Sequence, residues 1–115
     1  MFVPVRQVFL ARDPVDMRCG HYGLHARVRG LGFDVFLGDA FVFFNRKRDR
    51  VKILLWSPGG LLLIYKRLEK SSFFAVAFDE LERTRAITGT QLSLLLDGAD
   101  PFTIDQKPLW RPDSA

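Results

Sequence analysis

Five basic residues lie close together in one polar segment, and their side chains are suited to binding phosphate. They are Arg46, Lys47, Arg48, Arg50 and Lys52, and only Asp49 opposes them there. Guanidinium and ammonium groups form charge-assisted hydrogen bonds with phosphate oxygens, so this cluster could hold a nucleic-acid backbone. A loop needs only one or two charges to stay solvated. The alternative interpretation is a hairpin loop made basic for solubility.

Three further basic residues lie on the third apolar run, residues 61–68, and just beyond it. They are Lys66, Arg67 and Lys70. If the three apolar runs form an up-down-up meander, the third strand ends beside the start of the second, and all eight charges converge at one end of a sheet. Converging like charges repel, which costs stability unless a partner or nearby acids neutralise them. We therefore predict that these eight residues form a DNA-binding hairpin region.

Other kinds of chemistry find less support in the sequence. His21 and His25 have a spacing that can place two imidazoles on one metal, with Cys19 and Asp16 nearby, but a second pair of Cys or His for a structural zinc site is missing. Nucleophile-elbow, phosphate-loop and dinucleotide-binding motifs do not occur. Trp56 and Tyr65 could stack on bases if they were exposed, although aromatics in such apolar strands more often belong to the core. We expect no catalytic residues, no metal and no cofactor.

The basic residues must be positioned by the apolar runs around them. Aromatic and β-branched content predicts strands over 40–45, 51–56 and 61–68, with Ser57-Pro-Gly-Gly60 as a turn between the last two. These three strands are expected to form an antiparallel meander. Their apolar residues scarcely alternate with polar ones, which is typical of strands buried on both faces.

The N-terminal part is predicted to contain a strand over 5–11 and a helix over 15–31. Asp13 or Asp16 could cap this helix, and Gly32 is a plausible stop. Arg18 has two interpretations. It could contact DNA, or it could pair with an acid on the sheet while Asp16 caps the helix.

Towards the C-terminus, 73–78 is predicted to form another strand or a buried turn. The spacing of Thr88 and Gln91 is that of a capping box, which predicts a short helix ended by Gly98. Residues 100–115 are expected to be an irregular tail. Residues 1–115 thus form a single α+β domain with an antiparallel sheet of about four to five strands, an N-terminal helix and a short C-terminal helix.

Composition agrees with a folded, polarised domain. Apolar residues make up 48% of the chain and eleven are Phe, which excludes a disordered protein. Residues 1–70 hold thirteen Lys and Arg against six Asp and Glu, whereas residues 71–115 hold four against seven. The single cysteine suits a reducing cytoplasm. No segment approaches the ~18 apolar residues of a membrane helix.

The order of several motifs resembles a known family over nearly the whole chain. The motifs are Asp16-Met17-Arg18, Gly23-Leu24, Phe41-Val42-Phe43 leading to Asn45-Arg46, Lys52, Leu55-Trp56, Gly60, Tyr65 to Lys70, Phe73, Gln91-Leu92, Leu95-Leu96, Gly98 and Trp110-Arg111-Pro112. This pattern is similar to the TnpB accessory proteins of the insertion-sequence-sixty-six family, the product of the element's second open reading frame. Many members have a basic residue and glycine after Asp-Met-Arg, where this chain has Cys19-Gly20.

The resemblance implies a small bacterial protein encoded in a mobile element beside a separate, larger transposase. Such a protein assists transposition, and the family supplies no established catalytic residues to carry over. Its expected partners are the DNA of the element ends, the transposase and the other accessory protein. A different function remains open, namely a protein–protein adaptor that recruits or regulates the transposase.

Overall fold

The computed structural model describes residues 4–103 and residue 112, and it has an α+β fold. The elements in chain order are β1 (Val8–Ala11), α1 (His21–Gly30), a 3-10 turn (Val35–Leu37), β2 (Ala40–Phe44), β3 (Arg50–Ser57), β4 (Gly60–Arg67), β5 (Thr84–Ile87) and α2 (Gly89–Leu96). The strands form one five-stranded sheet in the order β4-β3-β2-β1-β5. The predicted fold class is confirmed.

The sheet is antiparallel except at one pair of strands. The meander β2-β3-β4 is confirmed, with Val42 opposite Ile53 and Ile53 opposite Ile64. β1 pairs with β2 in parallel. This is possible because α1 lies between the two strands in the chain and returns the chain to the end of the sheet at which β1 began. β5 pairs antiparallel with β1 and was not predicted, since its four residues include two polar ones and show little strand pattern.

The sheet has a hydrophobic cluster on each face, as the unbroken apolar runs indicated. On one face, Leu24 and Val28 of α1 belong to the same cluster as Phe41, Phe43 and Leu54. On the other face, Leu95 of α2 belongs to a second cluster with buried residues of β1, β2, β3 and β5 and with Phe73. The central strands are consequently buried on both sides, which fixes the hairpin between β2 and β3 firmly at one end.

The predicted start of the N-terminal helix was wrong. α1 begins at His21, and its N-cap is Gly20, with no side-chain cap. Asp16 instead closes a preceding turn, in which its backbone carbonyl accepts from the N–H of Cys19 at 3.0 Å and its carboxylate accepts from the N–H of Arg18 at 2.8 Å. The carbonyls of Met17 and Cys19 in this turn accept hydrogen bonds from Lys52 on the sheet and not from backbone N–H groups of a helix.

The predicted helix ends are confirmed. Gly32 and Gly98 follow the two helices with φ angles of +87° and +84°, a region that glycine enters without steric cost. Thr88 accepts from the N–H of Gln91 while the Gln91 side chain accepts from the N–H of Thr88, so the capping box before α2 is also confirmed.

The segment 73–78 forms no strand and is a partly buried irregular stretch, closer to the second alternative. Phe73 and Val76 are its buried anchors. Of the predicted tail 100–115, only residues 100–103 and 112 belong to the described residues. In this part, Phe102 packs edge-to-face on Phe74 and lies beneath the guanidinium of Arg85. Within the described residues, no helix combines the length and apolar character needed to cross a membrane.

Candidate nucleic-acid interface

Asn45 builds the loop that joins β2 to β3. Its side-chain oxygen accepts from the N–H groups of Asp49 and Arg50 at 3.1 and 3.0 Å, and its amide donates to the Asp49 carboxylate at 2.6 Å. That hydrogen bond, followed by backbone contacts and the nearby charges of Arg50 and Lys47, lowers the pKa of Asp49. The loop is thereby fixed with Arg46 and Lys47 exposed at its tip.

Arg48 serves the loop itself. It occupies a left-handed backbone conformation with φ +59°. Its guanidinium lies 4.5 Å above the ring centre of Phe44 and donates to the carbonyl of Phe74 at 2.7 Å. Burial lowers the pKa of this guanidinium. Arg48 therefore fastens the hairpin to the segment after β4, and its Nη2 is already used in that contact.

Lys52 is buried, with 6% of the residue exposed. Its Nζ donates to the carbonyls of Met17 and Cys19 at 2.7 and 2.8 Å and lies 5.2 Å from the ring centre of Tyr65. The ammonium thus holds the turn before α1 against the sheet. Because a buried ammonium with two carbonyl partners cannot reach phosphate without abandoning them, Lys52 is a support of the basic region and not a surface contact.

Arg50 and Arg67 are brought together as the meander predicted, since they are opposite each other in the β3–β4 ladder. The Nε of Arg50 is buried and has no hydrogen-bond partner among the described residues. Arg67 is half exposed and pairs with Glu69 at 3.2 Å. This pair of guanidinium groups lies next to the hairpin loop.

The last two predicted residues are less central. Lys66 lies opposite Val51, on the α2 face of the sheet, and its Nζ donates to the carbonyl of Leu96 at 2.7 Å. It therefore caps the end of α2, where a positive charge is favourable. Lys70 is exposed in the turn after β4.

A cleft of about 710 Å³ opens between the hairpin, the turn before α1 and α1 itself. Its charged lining consists of Arg18, Arg27, Arg46, Lys47 and Arg50 together with Asp16 and Asp49; Tyr65 and Asn45 also line it. Five cations against two carboxylates give the cleft a positive field, which low-dielectric walls concentrate. The basic hairpin is thus one wall of a concave site.

Arg27 is the residue of this cleft that the sequence reasoning missed. It lies between the buried residues Leu24 and Val28 on α1, so helical periodicity places it beside the buried stripe. Periodicity therefore places Arg27 at the border of the buried face, but only the packing of α1 beside the hairpin shows that this border lines the cleft.

Arg18 lies at the mouth of the cleft and pairs with its neighbour Asp16 and not with an acid on the sheet. Its Nη2 is 2.8 Å from Asp16 Oδ2, and 91% of the Arg18 side chain is exposed. The hydrogen bonds from Arg18 lower the pKa of Asp16 to about 2. The pair is ionised at neutral pH, and its arginine is accessible to an anion.

The two histidines do not form a site with other ligands. His21 is exposed, and the ring of His25 lies edge-to-face on Phe36, which in turn packs against Trp56. In residues 4–103 and 112, no group of three or more His, Cys, Asp or Glu could hold a metal ion.

Comparison with known proteins gives two matches. The family model described as IS66 Orf2-like protein matches residues 6–106. A curated protein of Sinorhizobium fredii (strain NBRC 101917 / NGR234), named uncharacterized protein y4jC, is 33% identical over 107 residues, which cover 92% of this chain and 90% of the relative. No solved structure matches the chain.

Proposed function

The chain belongs to the IS66 Orf2-like family, a family of transposition accessory proteins, and we propose that it assists transposition of a bacterial insertion sequence by binding DNA without catalysing a reaction. The DNA of the element ends is the proposed ligand, and the transposase and the other accessory protein are its proposed partners. The observation that carries this proposal is the cleft with five cations and two carboxylates.

The contacts we propose differ in part from the eight basic residues considered from the sequence. We propose that Arg46, Lys47, Arg50 and Arg67 contact the phosphate backbone, and that Arg18 and Arg27 extend the same surface from the α1 side. The lining of the cleft supports this for all but Arg67, which lies opposite Arg50 in the β3–β4 ladder. Lys70 lies at its margin. Arg48, Lys52 and Lys66 already donate to backbone carbonyls, so in this proposal they hold the surface in place.

Phosphate binding would also use a donor that the fold leaves unpaired. A buried donor without a partner costs about 1–3 kcal/mol, so proteins seldom retain one without a use. The Nε–H groups of Arg48 and Arg50 are both such donors in the described part of the chain, and of the two residues Arg50 lines the cleft. An anion in the cleft would attract this guanidinium and relieve its repulsion with Arg67.

The direct test is an electrophoretic mobility shift with a duplex carrying the terminal inverted repeat of the element and a scrambled duplex. We expect both to shift at low salt, since phosphate contacts supply most of the non-specific affinity. Absence of a shift with either duplex at about 50 mM salt would overturn the proposal.

The adaptor function is supported by a different surface. Residues 79–82 contain Asp79, Glu80 and Glu82 around Leu81, which is 93% exposed. The acidic side chains around Leu81 give this segment a charge complementary to a basic partner surface. Capture of the transposase from nuclease-treated extract, lost in Leu81→Ser and retained in a cleft variant, would favour the adaptor over the DNA-binding function.

A further inference from the structure

We propose that Tyr65 is a stacking platform for an unpaired base, so that the cleft accepts single-stranded nucleic acid. This inference rests on the proposed function and goes further, because it assigns to one wall of the cleft a ligand group other than phosphate. Nucleic-acid-binding clefts that take single strands combine a positive groove with an aromatic side chain on which a base can lie.

The position of Tyr65 meets that description. Tyr65 lies on β4, which is an edge strand of the sheet, and it lines the basic cleft. It is 49% exposed, although the strand around it is rich in leucine and its partner across the ladder is the buried Lys52.

One side of the Tyr65 ring is already covered, which leaves the other for a ligand. The Nζ of Lys52 lies over the ring at 5.2 Å from its centre, and that ammonium is fixed by the carbonyls of Met17 and Cys19. This contact restricts the ring, so less freedom should be lost when a base stacks on its other side. Preorganisation of this kind lowers the entropic cost of binding.

The phosphate-binding residues lie at a suitable distance from the ring. Arg67 is two residues further along β4, on the same face as Tyr65, which is a separation of roughly 6.5–7 Å along a strand. Arg50 lies opposite Arg67 on the same face. A nucleotide whose base stacks on Tyr65 can therefore place its phosphate near these two guanidinium groups.

The ligand must be unpaired because the faces of a base inside a duplex are covered by its neighbours. Stacking on Tyr65 requires a base at a strand end, in a single strand or extruded from a helix. Such stacking tolerates any base, since each has a π-face. Single-stranded DNA and single-stranded RNA share this chemistry, and the experiment below compares them.

The chain has two tyrosines, which allows a direct test by ¹⁹F NMR of protein labelled with 3-fluorotyrosine. Tyr22 is 90% exposed on α1 and does not line the cleft, so its resonance is an internal control. We expect oligothymidylate of about twelve nucleotides to shift the Tyr65 resonance and leave Tyr22 unchanged. A matched duplex should shift it far less. Oligouridylate tests whether RNA is accepted equally.

Two substitutions give a second readout. Tyr65→Leu should lower the affinity for the single strand roughly fivefold or more, whereas Tyr65→Phe, which keeps the ring, should bind like the unaltered protein. The ratio of single-strand to duplex affinity should fall for Tyr65→Leu and stay the same for Tyr65→Phe. Single-strand binding without a Tyr65 shift, or duplex binding with no single-strand binding, would overturn this inference alone. Absence of binding to every nucleic acid would overturn the proposed function as well.

Discussion

Arg50 and Arg67 lie directly opposite each other across the β3–β4 ladder, so two arginine side chains leave the same position on one face of the sheet. Like charges in this arrangement destabilise a sheet, in the range of roughly 0.2–1 kcal/mol per pair. Glu69 pairs with Arg67 only at the exposed surface, where an ion pair contributes little. A position that weakens the fold and borders a positive cleft is best understood as part of a site for an anion.

Replacing Arg67 with Gln should separate stability from binding. The substitution removes the repulsion with Arg50, so the urea-unfolding free energy should stay constant or rise by up to about 1 kcal/mol. The affinity for duplex DNA should fall, and its salt dependence should become shallower by about one phosphate contact. A protein that loses stability while binding DNA unchanged would show that Arg67 has a structural role.

Lys52→Met should have the opposite profile. The buried Nζ donates to the carbonyls of Met17 and Cys19, and its loss leaves both without that donor. We expect unfolding to become easier by about 1–3 kcal/mol, measured by urea denaturation. Lys47→Met, at the exposed loop tip, is the matched control and should leave stability unchanged. If Lys52→Met kept full stability and lost DNA binding, Lys52 would be a direct contact after all.

Asp16→Asn should increase affinity for DNA. Asp16 holds Arg18 in an ion pair at the mouth of the cleft, so its carboxylate competes with phosphate and adds negative charge there. Removing the charge should raise the affinity roughly two- to fivefold, comparable with the energy of an exposed ion pair. Because the pKa of Asp16 is about 2, this carboxylate should cause no change in affinity between pH 5 and 8. Affinity that stays equal or falls in the variant would count against a cleft site.

Acid should weaken the hairpin through Asp49. Its folded pKa lies below the ordinary value of 3.8, so the folded protein binds fewer protons and Asp49 contributes stability above that value. This contribution is lost as the pH falls through the lower folded pKa. Asn45→Ala removes the main cause of the lowered Asp49 pKa. We expect the difference in melting temperature between the unaltered protein and Asn45→Ala to be smaller at pH 3 than at pH 7. A difference that is constant across this range would contradict the assignment.

The sheet could be predicted because its main signal is local. Continuous apolar runs separated by Asn45 to Arg50 and by Ser57 to Gly60 specify the meander and place the basic loop at its end. Gly32 and Gly98 similarly mark where α1 and α2 end, and the capping box marks where α2 begins. The strand β5 depends on pairing with β1, a contact between distant parts of the chain that leaves no pattern in four residues.

The roles of the basic residues were harder to predict because charge is visible in a sequence and burial is not. Lys52 and Arg48 look like their neighbours Lys47 and Arg46, yet the first two donate to carbonyls from distant segments. Alternation offers a partial guide, since it places Lys66 on the face opposite Arg67. Arg27 joins the cleft only through the packing of α1, which no local pattern specifies.

The central claim is that the hairpin tip contacts phosphate, and fluorescence anisotropy with a labelled duplex across a salt series tests it most directly. The comparison is between the unaltered protein, Arg46→Glu with Lys47→Glu, and Arg29→Glu as an exposed α1 control outside the cleft lining. We predict that log K falls linearly with log salt for the unaltered protein. The double variant should bind more weakly, with a salt slope reduced by about two phosphate contacts and an unchanged melting temperature. Arg29→Glu should keep the affinity and the salt slope of the unaltered protein. Equal affinities and slopes for all three proteins, or no binding by any of them, would contradict the account.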